Sequence, residues 1–120
     1  MALIDLSGKV AIITGAARGQ GAAEARLFAS LGARVVLTDI LADEGRQVAA
    51  TVGAASCFVA HDVGDEDDWA AVVDTAISAY GRVDVLVNNA AICHAQPLVE
   101  QAVDGFERML RVNLIGPLLG

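Results

Sequence analysis

Several stretches of the chain are mostly apolar, and apolar and polar residues do not strictly alternate within them. They cover residues 10–13, 34–38, 56–60 and 83–87, and a polar residue follows each of them. A run that is apolar on both side-chain faces is typical of a parallel strand covered by other elements on both sides. The pattern therefore predicts four parallel strands.

Segments with helical periodicity separate these runs and follow the last one. They are predicted over residues 22–31, 43–52, 65–80 and 98–114. Gly32, Gly53 and Gly81 stand where the first three helices should stop, because glycine readily adopts a left-handed cap. Strands that alternate with helices predict an α/β protein.

The third and fourth helices carry the clearest apolar stripes. Asp65 to Asp68 open the third helix, where the helix dipole favours negative charge, so we interpret them as a helix start and not as a metal site. The stripe of this helix comprises Trp69, Val72, Val73, Ala76, Ile77 and Tyr80. The stripe of the fourth comprises Val99, Val103, Phe106, Leu110 and Leu114. Pro117 is expected to kink or end that helix.

A glycine-rich turn links the first strand to the first helix. Residues 10–21 read V-A-I-I-T-G-A-A-R-G-Q-G, with glycines at 15, 19 and 21. Backbone N–H groups at a helix start can converge on a phosphate, and absent side chains let it approach. The spacing differs from the common G-x-G-x-x-G fingerprint. A tight turn with close helix packing is therefore an alternative interpretation.

Polar residues follow the second, third and fourth strands. Asp39 lies 18 residues past Gly21, near the offset at which an acid meets an adenosine ribose in βαβ dinucleotide folds. Asp62 follows the third strand, where ligands of parallel sheets bind, although a turn-forming acid is the alternative. We interpret His61 as a structural histidine, since it has no partner in register.

Three asparagines complete the candidate polar groups. Asn88 and Asn89 follow the fourth strand, where their amides are expected first to bridge loop backbones and second to contact a cofactor. Asn113 lies within the fourth predicted helix. From periodicity alone, its amide is expected to be solvated or bonded to a backbone carbonyl.

Charge and composition limit the classes of molecule that the chain is expected to bind. The net charge is −7 and Lys and Arg total only 8, which argues against nucleic acid and anionic membranes and favours a small-molecule ligand. The N-terminus lacks an apolar targeting segment and no apolar run reaches about 18 residues, so we expect a cytoplasmic protein. Cys57 and Cys93 have no metal-type spacing and are predicted to be buried, free thiols, with a disulfide or a reactive thiol as the alternative.

Together these motifs resemble the N-terminal half of a short-chain dehydrogenase/reductase. The resemblance rests on Thr14-Gly15-x-x-x-Gly19-x-Gly21, Asp39, Asp62-Val63, Asn88-Asn89-Ala90 and Val112-Asn113. It implies a Rossmann-like, doubly wound parallel sheet of order 3-2-1-4 that binds a nicotinamide dinucleotide, as one domain over residues 1–120. The implied cofactor-binding residues are Gly15, Arg18, Gly19, Gln20, Gly21, Asp39, Ile40, Asp62, Val63, Asn89, Ala90, Ala91 and Val112. Asn113 is the implied catalytic asparagine, and no metal site is implied.

The choice of cofactor follows from charge. Arg18 occupies a position where the family often has a basic residue for NADP, whereas Asp39 is its usual NAD marker. A carboxylate about 4 Å from a 2′-phosphate would cost on the order of 4 kcal/mol per charge, while an arginine can turn away. The sequence therefore predicts NAD over NADP. Ala91 and Gln20 depart from the glycine and small aliphatic residue usual in the family.

The other catalytic residues implied by the family are not found. A Tyr four residues before a Lys is expected, with a Ser upstream, but the sequence has only Tyr80 and Lys9 and no serine after Ser78. Two interpretations stay open: a homo-oligomeric NAD(H)-dependent oxidoreductase of alcohols or ketones, or a truncated, non-catalytic dinucleotide-binding or interaction module. An unrelated Rossmann protein such as a methyltransferase gives no reason for the three asparagines.

Overall fold

The computed structural model describes residues 3–120 and contains one parallel sheet of four strands. The strands are β1 (Val10–Thr14), β2 (Arg34–Asp39), β3 (Ser56–Ala60) and β4 (Val85–Val87), in the order β3-β2-β1-β4. In the register of these paired strands, Ile12 of β1 lies opposite Val36 of β2 and Leu86 of β4. The predicted strand order and the parallel sheet are confirmed.

Helices cover both faces of this sheet. They are α1 (Gly19–Ser30), α2 (Ala42–Val52), α3 (Glu66–Tyr80), α4 (Val103–Leu110) and α5 (Gly116–Leu119), with a 3-10 turn at Leu98–Glu100 and a π turn at Arg111–Ile115. Residues from α1 and α2 pack against one face of the sheet, and α3 packs against the other. Alternate residues of a strand point to opposite faces of the sheet. Because helices bury both faces, successive residues of a strand are apolar, and the runs lack alternation. The predicted doubly wound α/β fold is confirmed.

The first predicted helix and the fourth predicted strand begin at other residues than expected. Helix α1 begins at Gly19 and not at Ala22, so two of the three glycines belong to its first turn. Strand β4 begins at Val85 and not at Val83. The Asp84 carboxylate accepts a hydrogen bond from the Val10 amide at 2.9 Å and also pairs with Arg82. Because this side chain takes the place of a strand carbonyl, regular pairing starts at Val85, two residues later than predicted.

The fourth predicted helix is wrong in its extent. An α-helix begins only at Val103, and the segment then widens into the π turn and continues as α5 across Pro117. Pro117 therefore does not end the helical path. It lies in the first turn of α5, where the N–H that proline lacks would have no partner within that helix. The Gly116 amide before it is bonded five residues back to Arg111, as in a π turn.

Several residues of the predicted stripes are exposed. In α3, Trp69, Val72 and Ala76 are buried, whereas Val73 and Ile77 are 42% and 48% exposed. The stripe from Val99 to Leu114 is also largely exposed, because neither the sheet nor another helix of the described chain covers it.

The two cysteines were expected to be buried, free thiols. Cys57 is half-buried and Cys93 is exposed, and both are free thiols. The expectation of burial is therefore wrong for Cys93, which lies on the loop after β4.

Within residues 3–120, no helix combines the length and the apolar character that a membrane crossing requires.

Candidate functional site

A cavity of about 210 Å³ opens at the carboxyl ends of the strands. In an open parallel sheet this edge is where ligands bind. Most of the predicted site residues line the cavity, namely Gly15, Arg18, Asp39, Ile40, Asp62, Val63, Asn89, Ala90, Ala91 and Val112. The lining also includes Leu41, His61, Ile92 and Arg108, which sequence reasoning did not assign to the site.

The three glycines of the turn have different physical roles. A Cβ on Gly15, where φ is +65°, would lie 2.9 Å from the Cα of Ala90. A Cβ on Gly21 would lie 2.7 Å from Nδ2 of Asn89 and closer still to the Gly15 carbonyl oxygen. The packing interpretation therefore holds for these two residues. Gly19 has a φ of +57° and open space around it, so only its backbone conformation requires glycine.

The start of α1 presents unpaired backbone donors. Arg18 is its N-cap and makes no side-chain capping bond, and the first turn contains no acidic residue. Among residues 3–120, the amides of Gly19, Gln20 and Gly21 have no hydrogen-bond acceptor, and the first bonded amide is that of Ala22. Three unpaired amides at the positive end of a helix dipole can bind an anionic group.

Two acids shape the loops that follow β2 and β3. The Asp39 carboxylate accepts hydrogen bonds from the amides of Ala17 and Leu41, both at 3.0 Å, and so joins the glycine turn to the loop after β2. Asp62 accepts a bond from the Gly64 amide at 2.9 Å. Asp62 thus forms a turn and also lines the cavity, so both interpretations of this residue fit its geometry.

The side chain of Asn89 is committed to the backbone. Its Nδ2 donates to the carbonyl oxygens of Thr14 and Gly15 at 3.0 and 3.3 Å. The Thr14 hydroxyl donates to Val87 and accepts from the amides of Asn89 and Ala90. This network fixes the loop after β4 against the glycine turn, which agrees with the predicted bridging role.

His61 is buried in the wall of the cavity. It is 3% exposed, its Nδ1 lies 2.8 Å from the Thr38 hydroxyl, and its ring packs edge to face with Trp69. Burial lowers the pKa of His61, although the carboxylates of nearby acids oppose the shift. The structural interpretation agrees with this packing. The signal for its place in the wall was its position directly before Asp62 at a strand end.

Asn113 and Gln20 do not themselves line the cavity. Asn113 Oδ1 accepts the Ile92 amide at 2.8 Å, and its Nδ2 donates to the Ile92 carbonyl at 2.7 Å. The expected bond to a backbone carbonyl is therefore present. Gln20 donates from Nε2 to Glu24 on the exposed side of α1. Of the predicted site residues, Gly19, Gln20, Gly21 and Asn113 are therefore not part of the cavity wall.

Comparisons with known proteins agree with this geometry. The model of the short chain dehydrogenase family matches residues 9–120. Tropinone reductase-like 1 of Erythroxylum coca is 46% identical over 119 residues, which cover 96% of this chain and 44% of the relative. A 3-alpha-(or 20-beta)-hydroxysteroid dehydrogenase of Mycobacterium bovis is 45% identical over 115 residues, with the same coverage. The chain therefore spans less than half the length of these curated relatives.

Solved structures include similar folds with bound cofactors. A 3-ketoacyl-(acyl-carrier-protein) reductase from Brucella melitensis complexed with NADH superposes with a TM-score of 0.93 at 42% identity, over 96% of this chain and 48% of that one. A short chain dehydrogenase/reductase from Burkholderia phymatum in complex with NAD also has a TM-score of 0.93, at 34% identity, over 98% of this chain and 43% of that one. Because the family model matches nearly the whole sequence and these relatives share its fold, the chain belongs to the short-chain dehydrogenase family.

Proposed function

We propose that this chain is the cofactor-binding part of an NAD(H)-dependent short-chain dehydrogenase. One observation carries the proposal: the sheet-edge cavity contains Asp39 and adjoins the three unpaired amides at the start of α1. An acid suits a ribose hydroxyl and the amides suit a pyrophosphate, so the donor and acceptor set fits a dinucleotide.

The residue roles that we propose are those that the family resemblance implies. Gly15, Gly19 and Gly21 form the pyrophosphate turn with Arg18 and Gln20. Asp39 and Ile40 flank the adenosine ribose, whereas Asp62, Val63 and Val112 flank the adenine. Asn89, Ala90 and Ala91 lie along the nicotinamide ribose. When bound, the cofactor supplies a hydride acceptor or donor, and Asn113 is the residue assigned to the proton relay.

Charge supports NAD over NADP. Asp39 is half-buried and its two oxygens are held by backbone amides, so the carboxylate cannot turn away from a 2′-phosphate without breaking these bonds. Arg18 is exposed and is free to turn toward solvent. The repulsion of a carboxylate at about 4 Å, on the order of 4 kcal/mol per charge, supports the proposal that NADP is disfavoured.

The substrate class comes from the relatives. Their names include reductases and a hydroxysteroid dehydrogenase, so we propose an alcohol or ketone of small-molecule size as the substrate of the whole enzyme. We also propose that the enzyme is a homo-oligomer, because apolar side chains of α4 are exposed.

A second candidate is a nucleotide-binding module without catalysis. The only tyrosine, Tyr80, closes α3, and the only lysine is Lys9. These residues do not form the Tyr-x-x-x-Lys pair that hydride transfer in the family requires. Residues 1–120 by themselves are therefore proposed to bind NAD(H), as one domain, without turnover.

Titration of the chain with NADH and NADPH, followed by nucleotide fluorescence, tests the proposal. We expect saturable NADH binding and at least about tenfold weaker NADPH binding, since tenfold corresponds to about 1.4 kcal/mol. Asp39→Asn keeps an acceptor for one amide but removes the charge, so it should narrow the difference between the cofactors. Asp74→Asn makes the same charge change on the exposed side of α3 and should leave both affinities unchanged.

Three results would contradict the proposal in different ways. A folded chain that binds neither nucleotide would exclude the cofactor site. Equal or tighter binding of NADPH would exclude the NAD preference. Turnover of an alcohol or ketone by the purified 120-residue chain would exclude the non-catalytic candidate.

A further inference from the structure

The π turn and the residue that follows it hold the loop after β3 in place. Nε of Arg111 donates to the Gly64 carbonyl oxygen at 2.7 Å. Val112 packs in one buried cluster with Val63 and Trp69. A Cβ on Gly116 would lie 2.8 Å from Cγ2 of Val63, so the backbone at this position approaches the loop directly.

The same turn holds the loop after β4. Asn113, the next residue but one after Arg111, bonds to both the amide and the carbonyl of Ile92. Val63 of the first loop and Ile92 of the second both line the cavity. One helical turn therefore contacts two walls of the same cavity, through neighbouring residues.

Arg111 has a specific and limited set of contacts. A Cβ on Gly64 would lie 2.8 Å from Cγ of Arg111, so the missing side chain lets the arginine stem lie against the loop. Asp62, Asp65, Asp104 and Glu107 line the groove beside it. Within residues 3–120, however, Arg111 forms no ion pair within 4.0 Å, and its hydrogen bond goes to the Gly64 carbonyl. The arginine therefore orients the backbone of the loop and not a carboxylate.

We propose that Arg111 is a positioning residue that couples nucleotide binding on residues 62–64 to the contact between Asn113 and Ile92. This inference rests on the proposed function, because it assumes that Asp62 and Val63 contact the nucleotide. A nucleotide that fixes this loop also fixes Arg111, and the rigid turn transmits the constraint to Asn113 two residues later. Coupling between binding sites is reciprocal, so loss of the Arg111 bond must also weaken nucleotide binding.

The test measures two quantities in Arg111→Ala, Arg111→Lys and the wild-type chain. The first is the NADH dissociation constant, and the second is the amide exchange rate of Ile92, measured by NMR with and without NADH. Arg111→Lys keeps the charge and most of the stem but has no donor at the Nε position. Arg46→Ala, which removes an exposed arginine of α2, is the matched control.

Without nucleotide, we expect the Ile92 amide to exchange at least about threefold faster in Arg111→Ala than in the wild-type chain, while the buried Val36 amide is unchanged. NADH should slow Ile92 exchange in the wild-type chain but not in the variant. The variant should bind NADH about fivefold to tenfold more weakly, at the lower end of typical coupling energies. Arg111→Lys should change Ile92 exchange and NADH affinity in the same direction as Arg111→Ala. If Arg111→Ala does not fold, Arg111→Lys takes its place in the comparison.

The outcomes separate the two proposals. If the wild-type chain binds no NADH, the proposed function fails, and the Ile92 exchange rates without nucleotide still decide whether Arg111 supports the Asn113 contact. If NADH binds but Ile92 exchange is the same in both arginine variants and the wild-type chain, the coupling through Arg111 is excluded. Equal acceleration at Val36 and Ile92 would also exclude it, because the variant would then act through global stability.

Discussion

At the scale of single residues, His61 illustrates how a polar group is accommodated in the core. Its Nδ1 is paired with Thr38, whereas its Nε2 has no hydrogen-bond partner among residues 3–120. Asp62, Asp65 and Asp68 raise the pKa of His61, but burial lowers it more. Thr38 and Trp69, which also contact the ring, carry no charge. The imidazole is therefore neutral in the folded chain at pH 7.

This shift predicts how stability depends on pH. The folded-state pKa of His61 lies below its ordinary value of 6.5, so the unfolded chain takes up the proton first as pH falls. The free energy of unfolding should be highest above pH 6.5 and should decrease below it, by at most about 1.4 kcal/mol per pH unit, until the folded-state pKa is reached. Urea unfolding at a series of pH values measures this slope.

His61→Gln should flatten the slope between pH 6.5 and 5, because the group that titrates has been removed. His94 is exposed, so His94→Gln is the matched control and should keep the wild-type slope. A slope that is unchanged in His61→Gln would assign the acid sensitivity to other groups.

At the scale of elements, caps determine where the helices begin and end. Gly81 closes α3 in the left-handed conformation, with a φ of +81°. Asp65 opens the same helix, because its carboxylate accepts a hydrogen bond from the Asp68 amide at 3.0 Å. The acids at residues 65–68 are thus a helix start, as predicted, and Asp68 in turn holds the Asp62 amide at 2.8 Å. The cap therefore also stabilises the loop that lines the cavity.

Removal of this cap should have a measurable cost. We expect Asp65→Ala to lower the free energy of unfolding by about 1 kcal/mol, the usual cost of losing an N-cap acceptor. Asp74→Ala, at an exposed position in the middle of α3, should change it by less than about 0.5 kcal/mol. Urea unfolding compares the two variants. Equal losses would mean that the capping bond does not contribute.

At the scale of the whole molecule, several large apolar side chains are exposed along α4 and the π turn that follows it. We define the apolar band as Val103, Phe106, Leu110 and Leu114, which are 72%, 50%, 41% and 63% exposed. Contiguous apolar surface of this kind marks an interaction site or leads to association.

We therefore expect the chain to self-associate at micromolar concentrations. Replacing both Phe106 and Leu110 by Glu should weaken this association at least about tenfold, because charges would have to be buried. Leu27→Glu changes a single apolar residue on α1 that is 55% exposed, and it should have little effect. Sedimentation velocity over a range of concentrations compares them. A wild-type chain that is monomeric throughout would contradict the role of the band.

The local pattern was sufficient for most of the fold. Residues 34–38 and 56–60 were predicted as strands and lie in β2 and β3, because an apolar run bounded by turn residues needs no distant partner to be identified. The same reasoning failed after residue 98. Periodicity cannot reveal a π turn, since this turn depends on which backbone groups find partners, and it cannot tell whether an apolar stripe is covered.

The sequence by itself determined the order of strands and helices, the glycine turn and the residues at the strand ends. Only the tertiary structure decided which distant residues meet. Asn89 bonds to Thr14, 75 positions away, and Arg111 bonds to Gly64, 47 positions away. His61 and Ile92 were likewise placed in the cavity wall only by the tertiary structure. The physical reason is range. Hydrophobic periodicity and backbone preference act within a few residues, whereas a cavity wall is formed by side chains that meet only after the sheet has assembled.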